Sequence, residues 1–298
     1  APRALHGAAG WLRTLAAAAG ADAAAAAAAG AGAAPSGSGR LPDVSPSVGR
    51  SDGTLPRAYE RVAVEASACS KGYSITLDGK TLRTPGRNAL TLPNEALAYA
   101  VAAEWQWQET RTVQPMTMPM MTLAATAIDV MPHQRAQVVG KLLEYFSGDP
   151  IVCRAPEQAH SKDLPAVQAA ALDPMVRWLE AEMGGLKLTV TDSIFGTEQD
   201  EAVLWALRDQ LDAMDAWELT ALNSLSAAGR SLSLALAVAR GRLTAAEAVP
   251  LMRLDEEYQI QEWGLVEGGH DIDIADTKVR VGAAAVFLKL LRHERAEM

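Results

Sequence analysis

The sequence predicts an α+β protein: a small N-terminal α+β domain with antiparallel strands over residues 56–195, then an all-α helical domain over residues 196–298. Three observations predict it. β-Favouring runs broken by turn dipeptides cluster between residues 73 and 92. Helix-period patterns with caps and stops dominate elsewhere. Strand signals cease after Gly196.

Residues 1–55 stand apart from both domains. Up to position 50 they carry Arg3, Arg13, Arg40 and Arg50 against Asp22 and Asp43, a charge of +2, which leaves −11 for the remainder. Alanine fills the run to Ala34, and PSGSG with scattered prolines follows. An Arg-bearing, acid-poor, Ala- and Ser-containing leader reads as an organelle transit peptide followed by disorder.

The strands come first in the folded part. GYSITLDGKTLRTPGRNALTL holds Asp78-Gly79 and Pro85-Gly86 between β-favouring runs. Asp-Gly marks a two-residue hairpin, because both central residues must take positive φ. Strands are expected at Tyr73–Leu77, Lys80–Arg83 and Ala89–Leu92.

Asn94 then caps a helix, with Glu95 placed against its dipole. Leu97, Val101 and Trp105 recur at i, i+4, i+8 and predict one buried face. Glu104 sits beside Trp105. Residues 116–131 hold Met116, Met118, Met120, Met121 and Met131, which read as core filling at a helix start near Pro119 or as an adaptable binding surface. Further helices are expected at Arg135–Phe146 and over LDPMVRWLEAEMGG. LKLTVT, Leu186–Thr191, is expected to return as a strand to the small sheet. Beyond it, helices are expected at Glu198–Met214, Trp217–Ala228, Ser231–Ala239, after the capping box Thr244-x-x-Glu247, and from about Asp276 to Arg295.

Composition narrows the function. A net charge of −9 argues against general nucleic-acid binding and against an anionic membrane surface. No apolar stretch has the length of a membrane span. Cys69 and Cys153 lie far apart and outside any CxxC pair, so free thiols are expected. His6, His133, His160, His270 and His293 are scattered, and no metal set or cofactor motif emerges. GKT at Gly79–Thr81 lacks the glycine a phosphate loop needs, since Ser74 stands there. His270 beside Asp271 reads as a solvated loop histidine.

The densest chemistry is RLDEEYQIQEWG. Four carboxylates, Asp255, Glu256, Glu257 and Glu262, fall within eight residues. On a helix, Leu251, Leu254, Tyr258 and Leu265 make an apolar stripe, with Tyr258 in the core. Asp255, Gln259 and Glu262 make a polar ridge, flanked by Glu256, Ile260 and Trp263. A solvated face, a protein interface where aromatics anchor and charges set specificity, and acid–base chemistry all remain open for these residues.

RLDEEYQIQEWG followed by HDIDI resembles the C-terminal motif of the mitochondrial ATP synthase assembly-factor family. LDGKTLRTPGRNALTLP, EALAYAVAAEWQWQ, MPMMTLAATAID, YFSGDPIVCRAPE, LDPMVRWLEAEMG and SLSLALAVARGRL resemble it too, in family order across about residues 57–290. The resemblance implies an N-terminal α+β domain with a C-terminal helical one. It implies a mitochondrial matrix chaperone, with no catalysis and no cofactor, whose partner is the free α subunit of the synthase's catalytic head. It also implies function for the acidic position that opens the motif, here Asp255, where relatives also use Glu. The expected contact set is Asp255, Glu256, Gln259, Ile260, Glu262 and Trp263, on a monomer. A hydrolase using Asp255–Glu257 and a general holdase are the alternatives.

Overall fold

The computed structural model describes residues 53–67, 72–109, 111–156, 163–193 and 195–293. The leader expected at residues 1–55 lies almost wholly outside them, as does Cys69.

The described residues fall into two compact units that share the chain unevenly. One takes the residues up to Arg135, then Asp215–Ala221 and the segment from Val286. Its strands are β1 (Leu55–Pro56), β2 (Val62–Ala66), β3 (Tyr73–Leu77), β4 (Lys80–Thr81), β5 (Thr91–Leu92) and β6 (Thr112–Val113). β1 pairs β6; β2, β3 and β4 lie side by side, with β5 also on β3, and every ladder is antiparallel.

Asp78 (φ 49°) and Gly79 (φ 78°) supply the two positive φ values that join Leu77 to Lys80. The second turn places Arg83 opposite Ala89, with Arg87 at φ 64°. Its clamp comes from α2 (Pro119–Asp129). Asp129 accepts from Thr84 Oγ1 at 2.7 Å, Gly86 N at 2.8 Å and Asn88 Nδ2 at 2.8 Å. A Cβ on Gly86 would meet the Asp129 carboxyl at 2.7 Å, so only glycine admits this approach. Burial works to raise the Asp129 pKa, but the three bonds outweigh it and hold the carboxyl low.

Helix α1 (Glu95–Gln106) starts at Asn94, whose Oδ1 accepts from Leu97 N at 2.9 Å. The other end of the same amide donates to Leu290 O and Leu291 O, so one side chain serves two helix ends. Leu97 and Val101 are fully buried with Ile75, Leu90 and Leu92. Trp105 is half-buried, edge-on to Tyr59 at 5.8 Å. Glu104 accepts from Met120 N at 2.7 Å and Met121 N at 2.8 Å, across the first turn of α2. Among the methionines Met118, Met121 and Met131 are buried, whereas Met116 is 88% exposed.

The other unit is helical and spans Ala136–Met214 and Leu222–Ala285. The helices after α2 are α3 (Met131–Phe146), α4 (Leu164–Glu182), α5 (Glu201–Asp212), α6 (Ala216–Gly229), α7 (Leu232–Ala239), α8 (Ala245–Met252), α9 (Leu254–Trp263) and α10 (His270–Arg292). All eight residues of α7 are buried. The buried Asp149 carboxyl organises its start, accepting from Ser231 Oγ (2.8 Å), Ser233 N (2.9 Å) and Ser233 Oγ (3.0 Å). The Thr244–Glu247 capping box opens α8, as the sequence predicts.

Three expectations need correction. Leu186–Thr191 forms no strand and pairs with none of the strands β1–β6; Thr191 makes an isolated bridge to Cys153. α4 starts ahead of the expected segment and runs through Pro174. α10 starts at His270, not near Asp276, so His270 is helical; its Nδ1 accepts from Val266 N at 3.2 Å. The architecture is otherwise the predicted one: small antiparallel sheets near the N-terminus and a mostly helical remainder.

Candidate functional site

The acidic cluster forms α9. Asp255, Glu256 and Glu257 occupy its first turn, where the positive end of the helix dipole favours carboxylates. Gly264, at φ 89°, ends it, and Gly264 N closes on Ile260 O at 2.8 Å. Only Leu254 of the predicted apolar stripe is fully buried. Leu251 and Tyr258 are half-buried, and Leu265 lies past the helix end and is exposed. The stripe is thus shorter than the spacing implied, because Gly264 breaks the helix before Leu265 returns to its face.

Arginines from neighbouring segments neutralise much of the cluster. Arg253, almost completely buried, pairs with Asp273 on α10 and approaches Glu257 at 3.5 Å. Arg230, just past α6, donates from Nη1 to Glu256 Oε1 at 2.7 Å and lies 4.0 Å from Asp273. Arg253 and Arg230 hold the Asp273 carboxyl low. Glu256 and Glu257 are therefore tethered by cations, not facing each other as an acid–base pair.

Asp255 is held differently. Buried Gln168 on α4 donates from Nε2 to Asp255 Oδ1 at 2.8 Å. The orientation of this amide is set from behind: Ala155 N donates to Gln168 Oε1 at 2.8 Å, so the nitrogen must face Asp255. Arg154 bonds Gln168 O at 2.6 Å and Asp173 Oδ1 at 3.0 Å. Asp255 Oδ2 has no hydrogen-bond partner among the described residues. The residue as a whole is exposed, yet burial around the carboxyl raises its pKa. The Gln168 bond and distant Arg154 lower it, Glu256 raises it, and the net shift is upward. Among the acids of the cluster, Asp255 is the one held by a neutral amide instead of a cation.

Of the other predicted contact residues, Gln259 and Glu262 are exposed and Ile260 is half-buried. Trp263 is 70% exposed, and Leu265, Val266 and Ile272 extend the bare apolar surface beyond it. Sequence reasoning missed Gln168, Arg230 and Asp273. The one signal available for Asp273 was its place in HDIDI, the second half of the family motif. No group of side chains suited to a metal ion occurs among the described residues, and none of the described helices is long and apolar enough to cross a membrane.

The chain as a whole is similar to known proteins. The model of the ATP12 chaperone protein family matches residues 56–180. The chain is 24% identical over 225 residues to Protein atp12, mitochondrial, of Schizosaccharomyces pombe, covering 73% of this chain and 77% of that one. It is 22% identical over 271 residues to Protein ATP12, mitochondrial, of Saccharomyces cerevisiae, covering 78% and 83%. The crystal structure of Atp12 from Paracoccus denitrificans superposes with a TM-score of 0.71 at 34% identity, over 80% of this chain and 98% of that one.

Proposed function

Because the chain belongs to the ATP12 chaperone family, whose members are ATP synthase assembly factors and not enzymes, we propose that it binds the free α subunit of the synthase's catalytic head in the mitochondrial matrix. An unassembled subunit exposes apolar surface meant for its neighbours, and such surface aggregates unless covered. The chaperone masks it until the β subunit takes its place. Asp255, Glu256, Gln259, Ile260, Glu262 and Trp263 form the contact surface.

The observation that carries this reading is the state of Asp255. Its carboxyl is fixed by one bond from Gln168, left with an unpartnered oxygen, and raised in pKa by burial. An arginine or lysine of the client offsets the cost of that desolvation and completes the pair. Exposed Trp263, eight positions along the chain, supplies apolar area with few rotatable bonds. Glu262, exposed nearby in sequence, steers the basic partner over longer range.

The test is Asp255→Lys in the full chain, followed by titration with purified α subunit and by rescue of synthase assembly. The expected result is a folded variant that neither binds nor rescues. A folded variant that does both removes the α9 ridge from the mechanism. Pull-down from mitochondria checks the client, with α subunit alone expected; a broad mixture would instead mark a general holdase.

A further inference from the structure

β2 is the outer strand of its sheet: it pairs β3 on one side, and no strand pairs its other side among the described residues. The register identifies the backbone groups left over. Asp78 N donates to Arg61 O at 3.0 Å and Ser67 N to Gly72 O at 2.9 Å, so Arg61 and Ser67 turn toward β3. Orientation alternates along an antiparallel strand, so Ala63 and Glu65 face β3 as well. The N–H and C=O groups of Val62, Val64 and Ala66 therefore point out of the edge, without partners among the described residues.

Natural edges are blunted by lysine, proline, a bulge or a covering element. β2 reads VAVEA, has neither lysine nor proline, and pairs with β3 in unbroken register; its one charge, Glu65, accepts from Thr76 Oγ1 of β3 at 3.2 Å. Beside it runs a groove of about 270 Å³ between Val62 and Val64 of β2 and Tyr99, Ala103, Gln106 and Trp107 of α1 and its C-terminal end. Trp107 is 83% exposed and Tyr99 58%. The groove falls below the roughly 300–1,000 Å³ of sites for drug-sized ligands and accepts one large side chain.

We propose that this edge and groove form a second docking site, which takes an extended apolar segment of the unassembled client as an added strand. The proposal rests on the chaperone function argued above. The occupant follows from the chemistry of the edge: alternating outward donors and acceptors are satisfied by another extended backbone, and an alternate side chain of that backbone drops into the aromatic-walled groove. A second copy of the chain does not suit. Five residues span about 17 Å, and an edge of that length alone buries far less than the ~1,200–2,000 Å² of a stable interface, whereas the client, which the proposed function also holds at α9, needs only a supplementary contact here.

The test uses the full chain and a ten-residue probe of alternating valine and threonine flanked by lysines. Amide exchange at Val62, Val64 and Ala66 should slow at least tenfold on adding the probe, whereas Ala63 and Glu65 change little. Val64→Pro removes one outward N–H and spares the ladder to β3, a position where edge strands tolerate proline. Trp107→Ser strips one wall of the groove from an exposed position. Each should weaken probe binding at least tenfold with an unchanged thermal midpoint. Absence of probe binding, equal binding by both variants, or edge protection that grows with chain concentration alone overturns the proposal. Purified α subunit should displace the probe, and α subunit that binds without displacing it also overturns the proposal. A chain that binds the probe but no α subunit overturns the client assignment made above and leaves the strand-docking edge standing.

Discussion

Two aspartates, one in each unit, show how differently the same side chain can be held. Asp129 clamps the Thr84–Asn88 turn through three bonds, and those bonds hold its pKa low despite burial. Asp255 has one bond, from Gln168, and its pKa is raised. The first carboxylate is at rest in the folded chain. The second is held in place but incompletely solvated, which is the state of a group waiting for a cation.

Reversing the charge tests that contrast most severely. Asp255→Lys places a cation where the proposed contact puts the client's cation, and a loss of α-subunit affinity of at least a hundredfold is expected, with a thermal midpoint near the parent's. Removing one partner of a desolvated charge pair costs roughly 2–5 kcal/mol, so Asp255→Asn is expected to fall between the parent and Asp255→Lys. Asp129→Ala should do the opposite. It deletes a charged acceptor of three bonds and should lower stability by about 2 kcal/mol, with client affinity unchanged. Denaturant titration and the α-subunit titration, run on both variants, give a crossed pattern. If both variants lose stability equally and neither loses affinity, the contrast between a structural and a binding carboxylate collapses.

Acidity should separate the two as well. The raised pKa of Asp255 means that an ionised partner is favoured only once the proton has left, so client binding should strengthen as pH rises through the carboxyl's range. In Asp255→Asn that dependence should flatten. A parent whose affinity is indifferent to pH would show that no proton leaves Asp255 on binding.

The sequence showed the local chemistry well and the long-range chemistry hardly at all. Asp78-Gly79 marked its hairpin because positive φ is a property of those two residues. Asn94 and the Thr244–Glu247 box marked helix starts because their bonds reach only three residues away. Leu186–Thr191 misled because alternation specifies a pleated face and not a neighbouring strand; Thr191 makes a bridge to Cys153, while the backbone of Leu188 and Thr189 bonds the side chains of Glu180 and Gln199. β1 and β6, two residues each, are too short to carry any period. The α9 ridge was visible as a helical pattern, but Gln168 was not. Its role depends on Ala155, 13 positions away, and on Asp255, 87 away. Nor does chain order reveal that Asp215–Ala221 and the residues from Val286 gather with the N-terminal strands.

Trp263 gives a milder way to sharpen the comparison. At 70% exposure it contributes little to folding, so Trp263→Ser should leave stability within about 0.5 kcal/mol. Client affinity should fall about tenfold, as for a peripheral aromatic anchor. An unchanged affinity would confine the binding energy of α9 to its charges.

The last contrast concerns Glu104, whose carboxyl accepts two amides at the start of α2 while burial pushes its pKa up to about 7 from an ordinary 4.5. Here the folded chain holds the proton more tightly than the unfolded one. Its contribution to stability is therefore largest below pH 4.5, declines as pH climbs toward 7, and is flat above that. Glu104→Gln removes the titration and keeps an acceptor for one of the two amides, which separate carboxylate oxygens accept in the parent. The thermal midpoint of the parent should drift downward across that window more steeply than the variant's. Asp129 acts with the opposite sign at lower pH, since its depressed pKa makes stability fall as acid is added. Two carboxylates in one unit thus pull the pH profile in opposite directions, and only the Glu104 arm should disappear in Glu104→Gln. Identical slopes in parent and variant would mean that the two backbone bonds, and not burial, govern this carboxyl.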